Sequence, residues 1–421
     1  MKRRIFIVLV SGLFSFSIAS GATSYRFEDL YQKALSTSEA ISIAQGQQER
    51  SEEKLKQARG TIAPSLNLNS SYTRVDLPES GLSSSTRAEA GQVRVSGSQP
   101  LFRGLRDFAA LRSANRQVES TQAATESARQ LLFSQVGQAW VNLDQARKDL
   151  EILRKSRALS EQRLQEVRAR VRSGKSRSSD QFAAQAQLSQ IESQISAAVQ
   201  TLNQARVQAQ LLTGLSGEFE VESIEGSPRW GKKYATPPRD LAQRVLGERS
   251  DLVSAQKALE SAEDSVTIAR GAHWPSADAN ANYYLYQTGS FKDSKWDVAL
   301  TASVPIFQGG VLSSQVREAA SLRRERELQL EQSRRKAASD LDLGWSGVAQ
   351  ASQQVAQLQQ SLENQKKTVE ILQREDRLGL VGSLDVLSAM NTLTEIERSL
   401  LRAQGQWVIS QINLESSLGR R

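Results

Sequence analysis

ARGAHWPSADAN, Ala269 to Asn280, is an edited copy of ARGTIAPSLNLN, Ala58 to Asn69. Pro275 answers Pro64, an offset of 275 − 64 = 211. Further along, Pro305-Ile306-Phe307-Gln308-Gly309 matches Pro100-Leu101-Phe102-Arg103-Gly104, an offset of 305 − 100 = 205. That offset persists: Gly379 answers Gly174, Asp385 answers Asp180 and Gly419 answers Gly214. Landmarks held at a constant offset identify a tandem duplication. The change of six residues falls between the two proline landmarks, where a surface loop absorbs it.

Within each copy the hydrophobic period changes. After Pro275, Ala277, Ala279, Ala281, Tyr283 and Leu285 alternate with Asp278, Asn280, Asn282, Tyr284 and Tyr286. Beyond a Gly289-Ser290 turn, Trp296, Val298, Leu300, Ala302 and Val304 alternate with Lys295, Asp297, Ala299, Thr301 and Ser303. Leu66, Leu68 and Tyr72, then Val93 and Val95, repeat the pattern in the first copy. Strands of about ten residues with one apolar side suit a tilted membrane strand. A soluble antiparallel sheet with one wet face has the same pattern. Tyr283, Tyr284, Tyr286 and Trp296 are candidates for an interfacial aromatic girdle, with ordinary strand packing as the rival reading.

Elsewhere the period is near 3.5. Val348, Ala351, Val355, Leu358, Leu362, Val369 and Leu372 fall on one heptad frame, as do Val136, Ala139, Leu143, Ala146, Leu150, Leu153, Leu164 and Val167. Leu188, Ile191, Ile195, Ala198, Leu202 and Ala205 give a returning helix its seam. A helix from about Phe108 to Val171 spans ~95 Å at 1.5 Å per residue, which suits a wall of packed helices. Each copy therefore reads as helix, strand hairpin, long helix, turn and helix.

The N-terminus carries an export signal. Lys2, Arg3 and Arg4 precede an apolar run from Ile5 to about Ala19, and Ala19-Ser20-Gly21-Ala22 offers a cleavage site after Ala22. That run is short for a membrane anchor, which needs ~20 apolar residues. The chain has 421 residues, a net charge of +8 and a pI near 9.7. Three charges leave with the signal, 8 − 3 = +5, so for an exported chain the basic balance does not mark a nucleic-acid binder. Cysteine is absent, which excludes disulfides and lipoprotein acylation. The expected division is a signal over 1–22, a first repeat over 23–213 with its strand hairpin at 65–99 and its tip near 172–180, and a linker over 214–237. A second repeat follows over 238–421, with its hairpin at 276–304 and its tip near 377–385.

The duplicated Ala-Arg-Gly…Pro before each first strand, the Pro-Leu/Ile-Phe-x-Gly after each second strand, and RLGLVGSLDVLSAMNTL at Arg377–Leu393 resemble the TolC family of outer-membrane efflux proteins. The likeness covers essentially the whole mature chain. It implies a mainly α fold with a small β part. Long antiparallel helical hairpins would form a periplasmic α-barrel, and four strands per chain would enter a shared 12-stranded transmembrane β-barrel of a homotrimer. It implies a passive outer-membrane duct for efflux or type I secretion, sited in a Gram-negative outer membrane and in contact with its lipid. A periplasmic adaptor and an inner-membrane pump or ABC transporter would be its partners. Physics requires part of this: an open sheet edge cannot face lipid, and four strands are too few for a single-chain barrel. The alternative is a periplasmic coiled-coil adaptor that does not span the membrane.

The resemblance also assigns the tips. Asp385 matches the first of two aspartates lining the periplasmic entrance, Ser388 replaces the second, and Asp180 matches an aspartate of the first tip's closing contacts. The family's latch tyrosine and arginine align with Asp376 and Val381, so that latch is not transferred. Gly174, Lys175, Arg177, Gly379 and Leu380 form the expected adaptor-docking tip. The plain alternative for both aspartates is helix-start chemistry, with Ser179 or Ser383 as caps. Arg168, Arg170, Arg172, Lys175 and Arg177 read either as a docking cluster or as a solvated face. Gly174-Lys175-Ser176 is no phosphate loop, because Ala169 stands where its first glycine belongs. His273, the single histidine, has no second ligand beside it. No cofactor, metal or catalytic residue is expected.

Overall fold

The computed structural model describes residues 24–74, 89–240, 245–288 and 294–420. The export signal and the Gly289-Ser290 turn lie outside these residues. In chain order the elements are β1 (Ser24–Tyr25), α1 (Phe27–Thr37), α2 (Glu39–Gly60), β2 (Ser65–Arg74), β3 (Glu89–Arg103), α3 (Arg106–Arg172) and α4 (Ser178–Thr213). Then follow β4 (Glu220–Val221), α5 (Ser250–Gly271), β5 (Ser276–Gln287), β6 (Trp296–Ser303), α6 (Val311–Leu378) and α7 (Ser383–Ser417). Adding 211 to the bounds of α2 gives those of α5, and adding 205 to the start of α3 and of α4 gives the starts of α6 and α7.

The offsets extend to the backbone. Gly104, Gly174 and Gly214 have positive φ, as do Gly309, Gly379 and Gly419. Leu105, the single non-glycine with positive φ among the described residues, stands at the counterpart of Gly310. The Pro…Gly motif thus makes a strand-to-helix turn of two successive left-handed residues.

Four antiparallel strands form one sheet in the order β2-β3-β5-β6, leaving β2 and β6 as open edges. On one face Leu66 lies opposite Gly97, Leu68 opposite Val95 and Tyr283 opposite Trp296, with Ala281 opposite Val298 and Ala279 opposite Leu300. The side chains of this face stand in the open: Leu66 is 78% exposed, Leu300 77% and Val298 64%. On the other face a polar ladder crosses all four strands. Asn69 Nδ2 donates to Ser96 Oγ (3.1 Å), Ser96 Oγ to Asn282 Oδ1 (2.8 Å), and Asn282 Nδ2 to Asp297 Oδ1 (3.0 Å). A register shift between Val93 and Arg94 places Val93 opposite Tyr286 and Arg94 opposite Tyr284. Tyr286 is thereby brought to the apolar face opposite Val93, whereas Tyr284 keeps the polar alternation and donates to Asp297; Tyr283, Tyr286 and Trp296 stay exposed. Tyr284 drops out of the candidate girdle because it continues the polar row of Asp278, Asn280 and Asn282, and the extra residue at Leu285 keeps Tyr286 in it.

The main core sits midway along the long helices. Phe27, Tyr31, Phe133, Trp140 and Trp230 meet there, mostly edge to face, with Val408 and Ile412 of α7. The expected linker is bound into this core. Trp140 Nε1 donates to Glu222 O (2.9 Å), Trp345 Nε1 to Pro237 O (2.8 Å), and Gln411 holds both backbone groups of Gly231 (2.8 and 3.1 Å). Tyr234 donates to Glu415 (2.8 Å); burial, and then that bond, push the phenol pKa up. From within this belt toward the tip the first heptad seam closes as read: Val136, Ala139, Leu143, Ala146, Leu150, Leu153, Leu164 and Val167 are all buried.

Candidate functional site

The hairpin tips are two copies of one backbone turn. At the first, Gly174 (φ 69°) ends α3, and Lys175 N–H reaches back to Arg170 O (2.8 Å). At the second, Gly379 (φ 77°) ends α6, and Leu380 N–H reaches Glu375 O (2.9 Å). A left-handed glycine with this six-to-one bond satisfies the orphan carbonyls of a helix end. Nothing lies within 4 Å of a Cβ at either glycine, so backbone conformation alone demands them.

Asp180 and Asp385 occupy the third position of their helices. Asp385 Oδ2 accepts the backbone N–H of Gly382 (3.0 Å), and Asp180 Oδ2 accepts that of Arg177 (3.3 Å) and the hydroxyl of Ser176 (2.6 Å). Each carboxylate satisfies a donor at a helix start and lies at the positive end of the helix dipole. The serine caps expected from sequence are corrected: Arg177 and Gly382 hold the cap positions, and Ser383 is buried. Capping leaves Asp385 exposed, one turn from exposed Ser388, so both point away from the helix pair.

The structure adds a group that the sequence did not announce. Asp376, on the last turn of α6, is 3% exposed. Its Oδ2 accepts from Arg163 (2.7 Å) and its Oδ1 from Arg170 (2.8 Å), both on α3; the Ser383 hydroxyl lies 3.5 Å from Oδ1. Burial works against its ionisation, but the hydrogen bonds from Arg163 and then Arg170, together with their charges, hold its pKa below the ordinary value of 3.8. This clamp ties the end of α6 to α3, beside a small core of Leu164, Ala184 and Leu387. Arg170 thus leaves the supposed basic cluster, whereas Arg168, Arg172, Lys175 and Arg177 remain exposed. Phe182, Leu378, Leu380 and Leu384 add exposed apolar surface to the same end.

Among the described residues no helix is long and apolar enough to cross a membrane, and no acidic, histidine or cysteine cluster could hold a metal ion. The long dimension is helical, and the surface with the character of a membrane face is the exposed side of the sheet.

Comparison with known proteins agrees with this architecture. The family model described as "Outer membrane efflux protein" matches residues 30–215 and 241–420, one segment per repeat. Outer membrane protein TolC of Vibrio cholerae is 21% identical over 415 residues, covering 96% of this chain and 92% of that protein. A solved structure of CusC superposes with a TM-score of 0.86 at 19% identity, covering 95% and 93% of the two chains. The open state of the MtrE outer membrane channel of Neisseria gonorrhoeae gives 0.82 at 20% identity, covering 94% and 89%.

Proposed function

The chain belongs to the outer membrane efflux protein family, and from that footing we propose how its parts serve as an exit duct. It is an outer-membrane efflux channel subunit with a periplasmic helical extension. The finer reading is a homotrimer whose three four-stranded sheets close one 12-stranded barrel, with the polar ladder toward the lumen and the Leu66–Val298–Leu300 face toward lipid. The observation that carries it is the division of this open-edged sheet into a continuous apolar face and a hydrogen-bonded polar face. Lipid offers no partner for unpaired backbone groups, so both edges must meet other strands. A periplasmic adaptor has no use for such a sheet.

In this reading the chain performs no chemistry. Its two repeats, 23–213 and 238–421, joined by 214–237, provide a passive wall for a tripartite efflux or type I secretion assembly, and an inner-membrane pump or ABC transporter supplies the energy. The tip surface of Gly174, Lys175, Arg177, Gly379 and Leu380 docks a periplasmic adaptor through cations and exposed apolar side chains. Asp385, repeated about the axis, forms the pore entrance with Ser388 beside it, and Asp180 supports the closing contacts. A ring of carboxylates favours cations. Recording single channels in planar bilayers tests this. Purified protein should insert as a trimer with cation preference, and a water-soluble monomer that never inserts would refute the duct.

A further inference from the structure

The two offsets do more than align the halves, because they convert one observed strand register into another. Ser65 lies opposite Ser98 in the first hairpin; 65 + 211 and 98 + 205 give Ser276 and Ser303, which lie opposite one another in the second. The chain also contains a junction between its two copies, where β3 and α3 meet β5 and α5. There Val95 lies opposite Tyr283 and Ser96 opposite Asn282. Gly104 and Gly271 approach so closely that a Cβ on Gly104 would stand 2.2 Å from Gly271 O, and one on Gly271 would stand 2.7 Å from Gly104 O. Beyond them Arg112 Nε donates to Asp264 (3.0 Å), and Ser113 bonds Ser261 (3.0 Å).

On the opposite flank the corresponding elements have no such neighbour. Among the described residues α6 packs on α7 and α5 but is not flanked on both sides as α3 is by α2 and α5, and β6 and β2 are the open edges. We infer that the boundary between copies repeats the junction inside the chain: β6 and α6 of one copy lie against β2 and α2 of the partner subunit. The inference rests on the shared-barrel reading and fixes its register. Moving the first partner by +205 and the second by −211 sets Leu300 opposite Tyr72 of the partner subunit and Thr301 opposite Ser71 of the partner subunit. It sets Gly309 on Gly60 of the partner subunit and Arg317 on Glu53 of the partner subunit.

Nothing in the arithmetic obliges these pairs to match chemically, and most do. The aliphatic–tyrosine pair, the glycine–glycine contact and the arginine–carboxylate pair are all retained. The Ser113–Ser261 contact becomes Glu318 against Arg50 of the partner subunit, a second ion pair. The Ser120–Ser254 contact has no such heir, since Glu325 then faces Ile43 of the partner subunit. Gly60 and Gly309 have open space where Gly104 and Gly271 have each other. Arg317, Glu318, Arg50 and Glu53 are all exposed, and so able to meet a second copy.

The absence of cysteine gives a clean background for the test. Facing residues on antiparallel strands have Cα atoms ~4.5–5.5 Å apart, within disulfide range. Thr301→Cys with Ser71→Cys, oxidised in outer membranes, should give a cross-linked ladder ending at the closed oligomer. Arg317→Cys with Glu53→Cys should do the same with a short bis-maleimide. Thr301→Cys with Thr73→Cys, displaced two residues on the same face, should not link. Linking only by the displaced pair, or no linking in an intact oligomer, overturns the register and leaves the shared barrel standing. No linking in a chain that stays monomeric in membranes overturns both. Gly60→Leu extends into open space in the single chain, so helicity should persist while the oligomer is lost. An oligomer that survives this substitution overturns the glycine contact.

Discussion

The first and second halves of this chain share a backbone and differ in what they do with it. Both tips turn on a left-handed glycine and both start the returning helix with an aspartate at its third position. Only the second half carries the buried clamp: Asp376 corresponds to Val171, whereas its partners Arg163 and Arg170 belong to the first. Around the first tip the exposed residues are largely cationic, and around the second they are Leu378, Leu380 and Leu384. Backbone geometry survives duplication because glycine conformation and capping are local demands. Side-chain chemistry is free to diverge, because each tip faces different neighbours.

The largest expected break in the comparison is Asp376→Ala. Removing one partner of a buried pair costs about 3–5 kcal/mol when the other charge is left alone, and here that is an upper bound because Arg163 keeps Glu166 at 3.1 Å. Hydrogen exchange near α6's end should rise sharply, whereas Val171→Ala, at the counterpart site, should leave α3's end protected. The pH dependence has a fixed sign. Because the folded pKa of Asp376 lies below 3.8, its stabilisation is complete above that value and lost as pH falls through the lowered pKa. The protection factor at the second tip, with the intrinsic pH dependence of exchange divided out, should therefore stay flat from neutral pH to about pH 5 and fall only in stronger acid.

Next come the strands, where the halves should behave alike. Lysine on the lipid face costs roughly 2–4 kcal/mol at the midplane. Val298→Lys and its counterpart Val93→Lys should both impair membrane assembly, and Thr301→Lys, on the polar face, should be milder. Equal tolerance at all three sites would mean a soluble sheet. A smaller effect, again equal in both halves, is expected for Gly174→Ala and Gly379→Ala. A Cβ meets no neighbour at either, so the penalty is the ~1–2 kcal/mol of a left-handed residue. Thermal melts of the two variants should coincide.

The smallest stability effect separates the halves most cleanly in function. Asp385→Asn and Asp180→Asn each weaken one capping interaction, worth about 1 kcal/mol. In bilayer recordings only Asp385→Asn should lower cation preference, since Asp385 is the exposed one. If both variants lower it, both aspartates line the entrance, and if neither does, the entrance lies elsewhere.

Much of this was legible in the sequence because duplication writes each landmark twice. Pro64 with Pro275, and Gly174 with Gly379, fixed the strand and helix starts, and the heptad from Val136 to Val167 is buried throughout. The bulge at Leu285 was not legible, because one extra residue leaves no mark in a run of tyrosines. The clamp was not legible either: Asp376 lies 213 residues from Arg163, and such a pair meets only when both hairpins have folded. The aromatic core of Trp140 and Trp230 escaped for the same reason, since its members come from distant segments with no shared period.

The core around Trp140 also has a mechanical meaning. It grips α3 thirty residues above Arg170, a distance of about 45 Å at 1.5 Å per residue. A stiff rod held at such a fulcrum amplifies rotation, so a tilt of about one degree at Trp140 carries Arg170 through about 0.8 Å. A few degrees would therefore separate Arg170 from Asp376 by several ångströms while the packing at the fulcrum hardly moved. Force applied at the tip works through the full length of that lever, and the clamp sits where the leverage against it is greatest.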